Sequence, residues 1–115
     1  MKYMLLLYAD AKAGQAIPAE DMARWMDKMH AYADALTKAG AHVSHGALGT
    51  TADATTVHVE HGEMLVHNGP FAETKEQLGG YYMIDVPTLA DAQKWAAKCP
   101  GALWGKIEIR QVSGD

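Results

Sequence analysis

Apolar and polar positions follow two periods along this chain, and the two periods predict two kinds of element. Several short segments alternate every second residue or are apolar throughout, which is typical of β-strands. Two longer segments repeat every three to four residues, which is typical of amphipathic helices. The predicted order is a strand at 2–8, a helix from Pro18 to the C-cap at Gly40, a strand at 41–48, a hairpin at 55–67, a strand at 78–86, a helix at 89–99 and a strand at 104–112.

Two of the predicted strands, 2–8 and 78–86, carry large apolar side chains on both faces. Without the hairpin, the order of elements is the βαββαβ pattern of a ferredoxin-like fold, in which the first and third core strands are central. The two helices cover one face of these central strands. A strand that is apolar on its second face also needs cover there. The pattern therefore predicts an α+β, ferredoxin-like fold with an extra β-hairpin, packed sheet to sheet as a homodimer.

Length and composition narrow the class of protein. The 115 residues suit a single domain, 1–115. The net charge of -4, without a Lys/Arg cluster, argues against direct nucleic-acid binding. Cys99 is the single cysteine, so no disulfide framework is expected, and the N-terminus has neither a signal-peptide pattern nor a membrane span. We expect a cytoplasmic protein without a membrane partner.

One polar loop carries the most specific motif in the chain. Asn68-Gly-Pro-Phe-Ala-Glu-Thr-Lys-Glu76 closely resembles the DGPFAETKE signature of the YCII-related protein family, with Asn68 in place of the usual first Asp. The resemblance continues from the apolar opening at 1–8 to the segment 107–112. It implies the dimeric α+β barrel of that family, in agreement with the two-faced strands.

The same loop is the first candidate for chemistry. Glu73 and Glu76 flank Lys75, and a carboxylate held beside a cation is an arrangement that separates pKa values for proton transfer. We expect Glu73 or Glu76 as base, Lys75 as electrostatic stabiliser and Tyr82 as a hydrogen-bonding orienter. The alternative is a solvated connector whose charges keep an exposed sheet edge soluble.

Further residues are expected to contact a ligand. Asn68 is predicted to close an Asx-type turn that orders the loop and positions Phe71 and Glu73. Arg110 alternates with Ile107 and Ile109 on the last strand, where it lines a polar pocket or forms a weak ion pair with Glu108. These positions complete the candidate ligand-binding set of Asn68, Phe71 and Arg110.

The histidines raise the question of a metal. The two-residue connection His61-Gly62 predicts a hairpin register with Glu60 opposite Glu63 and His58 opposite Leu65. His58 and His67 are then diagonal neighbours on one face of the hairpin, close enough to share an ion, but surface histidines are the expected alternative. His42 and His45 are expected on opposite faces of their strand, which would keep them from forming one site. No zinc-type spacing, phosphate loop or dinucleotide fingerprint is present. We therefore expect no metal and no cofactor.

Two functions from different classes remain open. The first is a homodimer that binds a small molecule in a cleft near the 68–76 loop, either as a binding protein or as a cofactor-free acid–base enzyme. The second is implied by the family resemblance: a non-enzymatic accessory or regulatory module associated with extracytoplasmic-function sigma factors. The depth of the loop carboxylates separates the two, because catalytic groups lie in concave sites and recognition charges are exposed.

Overall fold

The computed structural model describes residues 1–10, 12 and 17–113. Its strands and helices follow the predicted order and confirm an α+β fold of the ferredoxin-like type. The strands are β1 (Lys2–Asp10), β2 (His42–Ala47), β3 (Thr55–Glu60), β4 (Glu63–Asn68), β5 (Glu76–Asp85) and β6 (Lys106–Gln111), and the helices are α1 (Ala19–Lys38) and α2 (Leu89–Lys98).

Four strands form an antiparallel sheet in the order β2-β5-β1-β6, and β3 pairs with β4 in a separate two-stranded sheet. The central strands are therefore β1 and β5, the two that the sequence makes apolar on both faces. Pairing of β1 with β5 shifts between Leu7 and Tyr8, so that Gly79 has no partner on β1. A side chain added at the next residue, Gly80, would meet the carbonyl oxygen of Gly46 at 3.0 Å. The paired glycines thus mark a bulge and a close backbone approach.

The core lies between this sheet and the helices. Leu5 and Ile84 from the central strands are fully buried against Leu36 of α1 and Cys99 after α2. Helix α1 ends in a Schellman arrangement: Gly40 has a φ of 72°, and the amide of Ala41 donates to the carbonyl of Leu36 at 3.0 Å. This end fixes the direction in which the chain enters β2.

The methionines of α1 are only partly buried. Met22 and Met26 are 36% and 45% exposed. The reason is length: α1 has 20 residues and α2 has 10, so α2 can flank only half of α1. Near its N-terminus α1 is held instead by Trp25, whose ring lies 4.3 Å from that of Trp104.

The face of the sheet away from the helices, here called the outer face, carries apolar side chains along its centre. Leu6 lies opposite Tyr81 on one side and Glu108 on the other, and Met4 lies opposite Met83. These apolar side chains are half-buried. The smallest dimension of the molecule is 18 Å, which suits one sheet and one helix layer. Within the described residues, no second layer covers the outer face.

The β3–β4 hairpin has the predicted register, with Glu60 opposite Glu63 and His58 opposite Leu65. Its turn residues His61 and Gly62 have φ values of 52° and 79°, as a type I′ turn requires. One face of the hairpin is apolar and exposed, and it consists of Val57, Val59, Met64 and Val66. The radius of gyration is 16.0 Å, whereas a compact chain of this length gives about 13 Å. The hairpin therefore projects from the body of the fold.

Among the described residues, neither helix combines the length and the apolar character needed to cross a bilayer.

Candidate functional site

A cleft of about 750 Å³ lies where the end of β1 meets the loop between β4 and β5. The loop belongs to the 68–76 motif, so the motif and the cleft coincide. The polar side chains that line the cleft include Asp10, Lys12, Asn68, Glu73, Lys75 and Gln77. The structure thus brings together three of the residues singled out from the sequence: Asn68, Glu73 and Lys75.

The cleft has a balanced set of charges. Asp10 and Glu73 supply carboxylates, and Lys12 and Lys75 supply ammonium groups. The backbone amide of Lys12 donates to Oδ1 of Asp10 at 2.9 Å, which orients that carboxylate. The ion pairs found in the described part of the chain do not use Glu73 or Lys75, and both side chains are exposed. Their charged ends can therefore reach a ligand.

Gln77 holds the loop in shape. Its side-chain amide donates to the carbonyl of Thr74 at 2.6 Å and to that of Ala72 at 3.2 Å. The hydroxyl of Thr74 donates to the carbonyl of Glu76 at 2.6 Å. These bonds fix the backbone on both sides of Glu73, so Gln77 is a positioning residue that the sequence interpretation missed. The sequence feature that could have identified Gln77 is its position directly after the motif.

Asn68 differs from its predicted role. Its side chain lines the cleft but closes no Asx-type turn, since it makes no hydrogen bond to another described residue. The start of the loop is held instead through Gly69, whose amide donates to the carbonyl of Ala54 at 2.7 Å and whose carbonyl accepts from the Thr56 hydroxyl at 2.9 Å. The φ of Gly69 is 132°, a conformation that favours glycine. Backbone contacts of a glycine thus do what was assigned to the asparagine side chain.

Glu76 has a different role from Glu73. It begins β5, lies opposite Asp10 in the register, and forms an ion pair with Lys106 of β6. Its side chain is 34% exposed and does not line the cleft. The contact ties β5 to β6 across β1, which makes Glu76 a structural anchor beside the site.

Three further candidates lie outside the cleft. Tyr82 is 5% exposed beneath the helices, where burial raises the pKa of its hydroxyl to about 12. Phe71 projects from the loop with 90% of its surface exposed. Arg110 is on the outer face, 3.5 Å from Glu108, and both side chains are largely exposed. None of Tyr82, Phe71 and Arg110 therefore lines the cleft with Glu73, although Phe71 belongs to the same loop.

Asp10 and Lys12 are cleft residues that the sequence interpretation did not identify. Both stand in the polar segment that follows the first apolar strand. Strand β1 continues to Asp10, two residues beyond its predicted end at Tyr8, and this extension carries the carboxylate to the motif. The polar sequence suggested a loop there, but pairing with Glu76 and Gln77 extends the strand.

The histidines fall into two pairs. His58 and His67 share one face of the hairpin, as expected from the register. His42 and His45 were expected on opposite faces, and this expectation is wrong: Nε2 of His42 lies 2.7 Å from Nδ1 of His45. A bulge between His42 and Ser44 shifts the alternation by one residue. Across the described ranges, no three His, Cys, Asp or Glu side chains gather in a metal-binding group.

Comparison with known proteins agrees with the motif. A family model described as the YCII-related domain matches residues 1–114. An uncharacterised protein of Rhizobium meliloti (strain 1021) is 35% identical over 115 residues, a region that covers 98% of this chain and 93% of that protein. Both matches include the cleft, the hairpin and the sheet.

Proposed function

Since this chain belongs to the YCII-related family, we propose that it is a homodimer that binds a small polar molecule in the cleft beside the 68–76 motif. The observation that carries the proposal is the convergence of Asp10, Lys12, Glu73 and Lys75 around one space of about 750 Å³. Small-molecule sites typically enclose roughly 300–1,000 Å³ and use a few convergent polar groups. The cleft has both properties.

The charges of the cleft fit a ligand with an anionic group and a proton that can be removed. Lys12 and Lys75 would attract the anionic group, and Glu73 would accept the proton. Lys75 lines the same cleft as Glu73 and would stabilise negative charge that develops during proton transfer. This chemistry would need no cofactor. Tyr82 and Glu76 would have no part in this chemistry, because neither lines the cleft.

Two exposed apolar surfaces support the homodimer. The outer face of the sheet carries Leu6, Tyr81 and Met83 without a covering layer from the described residues. The hairpin carries a second apolar face, and isolated two-stranded hairpins are marginally stable in water. Burial of both surfaces against a second copy would remove apolar area from water. We also place the protein in the cytoplasm, since its buried Cys99 needs no oxidising compartment.

A second function is favoured by the exposure of the same loop, since exposed charges are the property expected of a recognition site. Phe71 is 90% exposed next to the exposed Glu73 and Lys75. An aromatic side chain with flanking charges is typical of a protein-recognition site. In this alternative the loop would dock on an extracytoplasmic-function sigma factor, and its charges would select the partner.

Thermal denaturation with a panel of small carboxylates and phosphates tests the first function. Ligands that raise the unfolding midpoint of the unmodified protein should lose that effect in Glu73→Gln and Lys75→Met. The matched controls are Glu63→Gln on the hairpin and Lys94→Met on α2, which are exposed away from the cleft. Ligand effects that are equal in all four variants would place binding elsewhere and refute the proposal.

Phe71→Ala separates the two functions. The variant should keep the ligand effect if the cleft is the functional site, because Phe71 does not line it. Binding of a purified extracytoplasmic-function sigma factor, with loss in Phe71→Ala, would favour the alternative. The absence of both the ligand effect and sigma-factor binding would refute both.

A further inference from the structure

Two histidines of strand β2 bring their ring nitrogens together at the edge of the four-stranded sheet. Nε2 of His42 lies 2.7 Å from Nδ1 of His45, and the ring centroids are 5.0 Å apart at an interplanar angle of 66°. A hydrogen bond at this distance needs one protonated nitrogen and one lone pair. The same short distance between the two nitrogens also lets both of their lone pairs bind one metal ion.

The backbone of β2 produces this approach. His42 lies opposite Ile84 and His45 lies opposite Tyr82, although an unbroken strand would put residues three apart on opposite faces. The bulge between His42 and Ser44 supplies the extra residue that returns both rings to the face on which Tyr82 and Ile84 lie. Bulges at sheet edges often re-aim a side chain in this way.

The position of His45 is fixed by the core beneath it. Its ring stacks on that of Tyr82 with centroids 5.4 Å apart and planes at 25°. Tyr82 in turn meets the edge of Tyr32 at 5.1 Å, and the hydroxyl of Tyr32 donates to the carbonyl of Trp95 at 2.7 Å. Contacts of this kind hold the ring of a metal-binding histidine in one orientation. The pair is therefore organised before any ion arrives.

We propose that His42 and His45 form a two-histidine site for a borderline divalent transition ion such as Cu²⁺, Ni²⁺ or Zn²⁺, with water in the remaining positions. Metal–nitrogen bonds of about 2.0–2.1 Å at ordinary angles separate two ligand nitrogens by roughly 2.9–3.3 Å. The pair needs to open by only a few tenths of an ångström. The ring that donates the hydrogen bond changes tautomer, so that its proton moves to the other ring nitrogen and both facing nitrogens bind the ion through lone pairs. Imidazole suits these ions, whereas Mg²⁺ and Ca²⁺ prefer oxygen ligands.

The site is independent of the proposed cleft, since neither histidine lines it. Two protein ligands make the site weaker than a structural site of three or four ligands. The affinity for the metal ion should therefore depend on both rings, and loss of either ring should remove most of it.

Titration of the full chain with Cu²⁺, followed by calorimetry and by the visible absorbance of the bound ion, tests the proposal. His42→Gln and His45→Gln should each weaken binding by about tenfold or more, since even outer-shell changes at metal sites cost about that much. The controls are His30→Gln on α1 and the hairpin double variant of His58→Gln and His67→Gln, which should leave the affinity within about twofold. Unfolding curves without metal establish that each variant is folded.

A second readout locates the ion without any substitution. Bound Cu²⁺ is paramagnetic and should broaden the amide signals of Tyr82 and Ile84 before those of the hairpin. Equal affinity in all variants, first broadening at His58 and His67, or no binding at millimolar Cu²⁺ would overturn the proposal. In the last case the pair would be a hydrogen bond only.

Discussion

The hydroxyls of Tyr32 and Tyr82 are expected to resist ionisation well above their ordinary pKa. Burial, with a smaller contribution from the Cys99 thiol, raises the pKa of Tyr82 to about 12 and raises that of Tyr32 still further. In the unfolded chain both return to about 10. A group whose pKa is raised on folding contributes stability that is complete below the unfolded value and is lost as the pH rises toward the folded value. The free energy of unfolding should therefore fall between about pH 10 and 12.

Tyr82→Phe tests this pH dependence at a single residue. At pH 7 the free energy of unfolding should change by less than about 0.5 kcal/mol, because Tyr82, unlike Tyr32, donates no hydrogen bond to another described residue. Between pH 10 and 12 the variant should lose less stability than the unmodified protein. Urea unfolding midpoints at several alkaline pH values measure the difference. If the midpoints of the two proteins fell in parallel with pH, Tyr82 would ionise alike in the folded and unfolded states. If the variant lost ligand binding, Tyr82 would belong to the binding site after all.

Two glycines are expected to differ sharply in their tolerance of a methyl group. A Cβ at Gly105 would stand at 1.9 Å from the carbonyl oxygen of Tyr8, whereas a Cβ at Gly79 meets nothing within 4 Å. Gly105→Ala should therefore force β6 away from β1 and cost about 3 kcal/mol or more, as severe overpacking does. Gly79→Ala should cost less than about 1 kcal/mol. Chemical denaturation of the two variants makes the comparison, and similar midpoints would contradict it.

At the scale of single elements, the sequence predicted what local chemistry determines. The hairpin register followed correctly from a two-residue turn, because His61-Gly62 supplies the positive φ values that fix the pairing. The pairing of His42 with His45 was not predicted, because strict alternation puts residues three apart on opposite faces and the bulge between His42 and Ser44 breaks that alternation. The exposure of Met26 depends on the shortness of α2, a distant element.

The candidate site was predictable to a similar extent. The motif pointed to Glu73 and Lys75 because its residues are contiguous, and contiguous loop residues reach the same cleft. Asp10 and Lys12 come from the other end of the chain, and only sheet pairing carries them to the loop. Tyr82 was misplaced by a different cause: alternation separates Tyr81 from Tyr82 but does not say which of them faces the helices.

The loop is an element whose order can be tested with a matched pair of variants. Gln77→Ala removes the amide that bridges Ala72 and Thr74 and should cost about 1 kcal/mol, as lost local hydrogen bonds do. Asn68→Ala should cost less than about 0.5 kcal/mol, because the Asn68 side chain bonds no described residue. Unfolding midpoints and amide exchange across residues 69–75 measure both effects. A larger loss in Asn68→Ala would restore the asparagine side chain as the residue that orders the loop.

At the scale of the whole molecule, the thinness of the fold relative to its breadth predicts that the protein assembles with a second copy. Dimensions of 47 × 41 × 18 Å describe a plate with one sheet and one helix layer. A domain normally buries its sheet between layers, and large exposed apolar patches usually mark an interface. The outer face and the hairpin face are both such surfaces, and a symmetric dimer would pair each of them with the same surfaces of its copy.

Adjacent leucines of β1 provide the test of the dimer. Leu5 is fully buried against the helices, whereas Leu6 is half-buried on the outer face. Leu6→Asp should therefore give a folded monomer with a lower unfolding midpoint, because it places a charge in the interface alone. Leu5→Asp should not fold, since the charge would enter the core of each protomer.

Leu89→Asp is the control: this leucine is 50% exposed at the start of α2, where a carboxylate suits the helix, and the variant should remain a dimer. Light scattering together with circular dichroism distinguishes these states. An unmodified protein that is monomeric at micromolar concentration, or a Leu6→Asp variant that stays dimeric, would show that the outer face is not the interface.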